Sequence, residues 1–179
     1  MSNKLILVDV DGVLLDWKNG FLQFMAIEGI VEKDNTKYHV WEWMETKDKK
    51  EIDEEKGRFM IEYFNRSAWM CFLDPHRDAV EVVKLLKQKG YEFKAITSMH
   101  KDKPAQELRK MNLADVFGEG TISDITFLPT GADKTEALKQ YEGSGAWWVE
   151  DKIENAKAGK ALGLKPILIE HEYNSNVYL

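Results

Sequence analysis

KLILVDVDGV, residues 4–13, is the stretch that decides the fold of this 179-residue chain. Leu5, Ile6, Leu7 and Val8 form an unbroken apolar run that is too short for a helix. Such a run, closed by Gly12, predicts a strand over Lys4–Val10 buried on both faces of a sheet. Asp9 and Asp11 fall at its carboxyl end. A period of two turns both carboxylates to one side and Val10 to the other. Aspartate is disfavoured in strands and two like charges this close repel, so a cation must neutralise the pair or one member must hold a proton. Gly12 supplies a permissive backbone for a sharp exit and lets a ligand approach.

Working outward, the pattern alternates. Asp74 as N-cap and Pro75 at the first helical position open a helix that Gly90 closes, with Ala79, Val82, Val83 and Leu86 as its apolar stripe. A strand over Tyr91–Thr97 follows, then a helix near Pro104–Met111 and a strand near Thr121–Phe127. A helix near Lys134–Tyr141, a short strand at Ala146–Val149, a helix at Ile153–Leu162 ended by Gly163 and a strand at Pro166–Glu170 complete the series. Strands separated by helices of this length predict an α/β fold: a Rossmann-like, mostly parallel sheet flanked by helices.

Residues 16–73 break the rhythm. They offer helical patterns at Lys18–Gly29 and about Asp48–Asn65, no clear strand between, and four of the six tryptophans, Trp17, Trp41, Trp43 and Trp69. This predicts a small helical cap inserted after the first strand, with 1–15 and 74–179 as the core domain. Trp41, Trp43, Phe59, Tyr63 and Phe64 read as the cap's own hydrophobic core, a subset being able to stack on a base or sugar. The charged run Lys47–Lys56 reads as a solvated helix face.

Composition narrows the function classes. A net charge of −6 and a pI near 5.3 argue against broad binding to nucleic acid polymers or anionic membranes. A small anionic substrate stays open, because one metal ion and one lysine invert the field locally. The single cysteine, Cys71, allows no intrachain disulfide and reads as a buried hydrophobe. The apolar run at the N-terminus is too short for a secretory or membrane segment, so a cytoplasmic protein is expected.

In a parallel α/β sheet, ligands bind beyond the carboxyl ends of the strands. Besides Asp9 and Asp11, those ends carry the hydroxyls of Thr97 and Ser98, with Thr97 favoured on register, and the acids Glu150 and Asp151. Lys134 stands at a helix start, where its ammonium and the helix N-terminus both attract an anion. His39, His76, His100 and His171 share no metal-ligand spacing. His100 lies just past the second strand of the sheet and reads as a loop residue.

As a set, these motifs resemble the haloacid dehalogenase-like superfamily of phosphohydrolases. The first motif is Asp9-Val10-Asp11-Gly12-Val13 with Asp16 trailing, and the second is Ala95-Ile96-Thr97-Ser98. The third is Lys134, and the fourth is Val149-Glu150-Asp151 followed by Asn155 and Ala158-Gly159. The resemblance implies a phosphatase in which Asp9 attacks phosphorus to form an aspartyl-phosphate and Asp11 acts as acid and base. It implies Mg2+ held by Asp9, the Asp11 carbonyl and Asp151, with Glu150 a further or outer ligand. Thr97 or Ser98, with Lys134, would hold phosphoryl oxygens, and the insertion would close over a small phosphorylated metabolite. Asn155 stands where many members carry another acid, and Glu150-Asp151 replaces the commoner Gly-Asp. Leu73-Asp74-Pro75 and Glu172-Tyr173-Asn174 look similar to the small 5′-nucleotidase (deoxyribonucleotidase) branch. That makes a nucleoside monophosphate the leading substrate and a sugar phosphate the second. A phosphomutase shares the same acids, and a catalytically idle module binding a phosphometabolite or a partner is the alternative from another class. Asp11 speaks for phosphoester chemistry over dehalogenation, which needs no second acid there.

Overall fold

The computed structural model describes residues 4–33, 42 and 44–176. His39, Trp41 and Trp43 of the sequence reading therefore lie outside the described residues. The first strand, β1 (Leu5–Val8), is the middle of a five-stranded sheet. It pairs in parallel with β4 (Glu92–Met99) on one side and β6 (Trp147–Glu150) on the other. The edges are β5 (Ile122–Pro129) and β7 (Lys165–Leu168), giving the all-parallel order β5-β4-β1-β6-β7.

The pleat of β1 sorts its side chains between two cores. Ile6 and Val8, with Val10 beyond the strand, join Phe93, Ala95 and Leu113 on one face. Leu7 joins Ile96, Leu138, Trp148 and Leu164 on the other. The flanking helices are α3 (Ala79–Gln88), α4 (Lys103–Phe117), α5 (Thr135–Lys139) and α6 (Ile153–Ala161). Helix α6 sits directly on the fully buried Trp148, whose indole donates to the Asn155 carbonyl at 3.0 Å. A Cβ at Gly159 would lie 2.4 Å from that ring.

Three local expectations change. Helix α3 starts at Ala79, not at Pro75, because residues 74–76 spend their backbone on the chain leaving β1. Asp16 N–H donates to Asp74 O at 2.9 Å and His76 N–H to Leu14 O at 2.8 Å. Val82, placed on the buried stripe, is exposed, leaving Val83 as the fully buried member. Helix α4 runs past Met111 to Phe117, where Gly118 takes a positive φ of 92°.

Between β1 and α3 come α1 (Trp17–Ile27), α2 (Glu54–Arg66) and a 3-10 turn at Ala68–Cys71. Asp16 and Asp53 cap the two helices by accepting from Asn19 N–H and Lys56 N–H. Here the sequence showed no strand, yet β2 (Ile30–Glu32) and β3 (Met44–Thr46) form an antiparallel ribbon. Three residues each is too short for alternation to register. Phe21, Phe24, Phe64 and Met70 of this segment form one cluster with Ile6, Val8 and Val10 of the sheet. Phe64 is buried, whereas Phe59 and Tyr63 are exposed and stack on each other. Among the described residues, no helix is long and apolar enough to cross a membrane.

Candidate active site

Asp9 is the residue immediately after β1, buried between β4 and β6. Its Oδ1 accepts the Val10 N–H at 2.7 Å, and its Oδ2 pairs with Lys134 Nζ at 2.6 Å. Lys134 precedes α5 and is almost fully enclosed; its ammonium also reaches Glu150 Oε2 at 3.0 Å and lies 5.4 Å from the Trp148 ring. Glu150 is completely buried at the end of β6, and its Oε1 accepts the backbone N–H groups of Asp151 and Lys152 at 3.1 and 3.0 Å. Both of its oxygens therefore already have donors.

Asp151 differs. Its Oδ2 accepts from the Tyr173 hydroxyl, but its Oδ1 is buried with no hydrogen-bond partner among the described residues. Carboxylate oxygens of Asp9, Glu150 and Asp151 lie within 4.8 Å of one another. The set is hard oxygen, with no sulfur or imidazole, and one buried lone-pair atom is unused. Those features fit a hard divalent cation. Gly12 leans against the same group: at φ 78°, a Cβ there would be 2.6 Å from Asp151 Oδ2.

Asp11 is not in that cluster. Strand geometry ends at Val8, and the Val10 carbonyl accepts from Leu14 N–H and Leu15 N–H, each at 2.9 Å, so the chain is already turning. The period of two no longer applies. The Asp11 carboxylate meets Arg109 of α4 instead, with Nη2 at 2.7 Å from Oδ1. Arg109 is completely buried, and sequence reasoning missed it. Its signal was a charge on the stripe Ala105, Leu108, Arg109, Asn112, Leu113.

Electrostatics follow from burial. Asp9 is pushed up to about 6, by desolvation first and Glu150 second, against the pull of Lys134. Glu150 rises to about 7, again mainly by desolvation, with Lys134 opposing. Burial also raises Asp11 and Asp151. Burial alone would lower Lys134, but Asp9 and Glu150 outweigh it and hold the amine protonated. Four acids against Lys134 and Arg109 leave a formal surplus of about two negative charges when all ionise, which one divalent cation balances.

These groups open onto a cleft of about 1360 Å3. Asp9, Asp11, Lys134 and Asp151 line its floor, and Trp17, Arg58 and Asn65 line the wall contributed by α1 and α2. Ser98 lines the cleft and donates to Ala132 O at 3.2 Å. Thr97 is fully buried, its hydroxyl lacking a partner among the described residues. His76 and His171 also line the cleft, their rings 4.9 Å apart. His100 instead accepts the Asp102 N–H ahead of α4.

A protein from the Gp30-rIII intergenic region of Enterobacteria phage T4, 32.4 kDa and uncharacterised, is 32% identical over 144 residues. The match covers 75% of this chain and 48% of that protein, so the chain spans about half the relative's length. Among solved structures, CbbY from Rhodobacter sphaeroides in complex with phosphate superposes with a TM-score of 0.62 at 16% identity, covering 99% of this chain and 90% of its own. A mutant of CbbY has been solved with xylulose-1,5-bisphosphate. The HAD-hydrolase YfnB from Bacillus subtilis, bound to magnesium, superposes at 0.61 and 14% identity, covering 100% and 90%. At these identities the superpositions speak for the fold. The model of the haloacid dehalogenase-like hydrolases matches residues 3–163, nearly the whole chain, and the protein belongs to that family.

Proposed function

We propose that this chain is a magnesium-dependent phosphatase acting on a small phosphomonoester, with Asp9 as nucleophile and Asp11 as acid and base. The observation that carries the reading is Asp9 itself. It is a buried carboxylate on the floor of the cleft, held by Lys134 and the Val10 N–H, in one cluster with Asp151, whose Oδ1 has no partner among the described residues. Asp9 and Asp151, with the Asp11 carbonyl, would hold Mg2+; Glu150, completely buried and set back from the cleft that Asp9 and Asp151 line, supports from behind through Lys134. When bound, the ion would offset charge on the phosphoryl oxygens.

An Asp9 oxygen attacks phosphorus, and the ester P–O bond breaks as Asp11 passes its proton to the leaving oxygen. Asp11 then takes a proton from water, which attacks the aspartyl-phosphate, releasing inorganic phosphate and restoring Asp9. Lys134 steadies the nucleophile, and Ser98 on the cleft wall, or Thr97 behind it, positions phosphoryl oxygens. Residues 16–73 act as the cap that selects substrate. A nucleoside monophosphate leads, because Trp17 puts an indole ring on the cleft wall, its N–H tied to Asn65 Oδ1 at 2.8 Å. A sugar phosphate is second, in line with the bisphosphate complex of CbbY.

The test is a panel of phosphate esters assayed with Mg2+, with EDTA and with Asp9→Asn. Magnesium-dependent release of phosphate that disappears in both controls is expected. A folded, metal-binding protein that turns over no ester would instead favour the binding-module reading.

A further inference from the structure

The loop after β7 does more than end the sheet. Asn174 is buried, and its amide spends both donor bonds on carbonyls, Asp151 O at 2.7 Å and Ile169 O at 2.8 Å. Its Oδ1 accepts the His171 N–H at 2.7 Å. His171 Nε2 in turn donates to the Gly12 carbonyl at 2.8 Å, which also settles its tautomer. The loop thus ties together the turn after β1 and the turn after β6. Tyr173, stacked on the His171 ring with centroids 5.1 Å apart, is set between them with its hydroxyl on Asp151 Oδ2.

We propose that Tyr173 is a positioning residue for the cation site: by occupying Asp151 Oδ2 it fixes the carboxylate's rotation and leaves Oδ1 as the ligating oxygen. This rests on the metal reading above. The geometry supports it from both sides of the carboxylate. Oδ2 is wedged between the Tyr173 hydroxyl and Gly12, where no side chain fits, and Oδ1 is buried with no partner among the described residues. A carboxylate free to rotate would present either oxygen; here only one is available. Hydrogen bonds of this kind to a ligating group alter metal affinity without touching the metal.

Binding of Mn2+, as a spectroscopic stand-in for Mg2+, can be followed by electron paramagnetic resonance in the parent protein and in Tyr173→Phe, alongside thermal unfolding in EDTA. Tyr173→Phe keeps the ring and its stacking and removes only the hydroxyl. The expected result is affinity weaker by about 10- to 100-fold, an unfolding midpoint in EDTA close to the parent's, and turnover whose Mg2+ saturation curve shifts to higher concentration. Equal Mn2+ affinity in the two proteins would overturn this assignment while leaving the cation site standing. A Tyr173→Phe protein that is unfolded in EDTA would assign the hydroxyl to the fold and also overturn it. No Mn2+ binding by the parent would overturn the metal reading itself.

Discussion

Raising the pH should make magnesium a progressively stronger stabiliser of this protein. In the metal-free fold Asp9 sits at about 6 against an ordinary 3.8, and Glu150 at about 7 against 4.5. Both folded values lie above the unfolded ones, so the native state binds more protons between about pH 4 and pH 7. Stability from these groups is present at low pH and is lost as pH rises through the folded values. Cation binding at Asp9 needs its ionised form and offsets its share of that loss. At about pH 5 deprotonating Asp9, the ligand among the two, costs roughly 1 pKa unit, or about 1.4 kcal/mol, and near pH 8 almost nothing. The rise in melting temperature caused by saturating Mg2+ should therefore be larger near pH 8 than near pH 5 by about 3–6 °C for a chain of this size. Differential scanning calorimetry in paired EDTA and Mg2+ samples measures it, and differencing removes acids remote from the site. A magnesium increment independent of pH across this range would refute the argument that buried, protonatable carboxylates form the site.

Lys134→Met removes the one ammonium between Asp9 and Glu150 and leaves both buried without it. Urea unfolding without metal should show a loss of about 3–5 kcal/mol. Asp11→Asn should lower turnover by about 100- to 10,000-fold while phosphate-analogue binding, followed by calorimetry, is largely kept; full turnover would remove Asp11 from the mechanism. Gly159→Ala would gain about 1 kcal/mol of helix propensity. Its Cβ, however, meets the fully buried Trp148 at 2.4 Å, and overpacking at about 1–3 kcal/mol should win, seen as a lower melting temperature.

Much of the core was legible because its signals are local. The run Leu5–Val8 was uniformly apolar because neighbours cover both faces of β1, and the acids at 9, 150 and 151 stood out as charges placed directly after buried strands. The ribbon of β2 and β3 was not legible, since three residues per strand carry no period. The start of α3 was misplaced because Asp74-Pro75 reads locally as a helix cap. The competing bonds to Leu14 and Asp16 come from residues about 60 positions earlier.

The sequence by itself determined the order of strands and helices within the five-stranded sheet domain and that Asp9, Glu150 and Asp151 stand at its ligand-binding edge, because burial and period are properties of short windows. Only the tertiary structure decided that Asp11 turns to Arg109, that Lys134 joins Asp9 to Glu150, and that Tyr173 takes one oxygen of Asp151. Each of those contacts is a side-chain meeting between separate elements. Which partner a buried charge finds depends on how the helices pack across the sheet, and no local pattern records that.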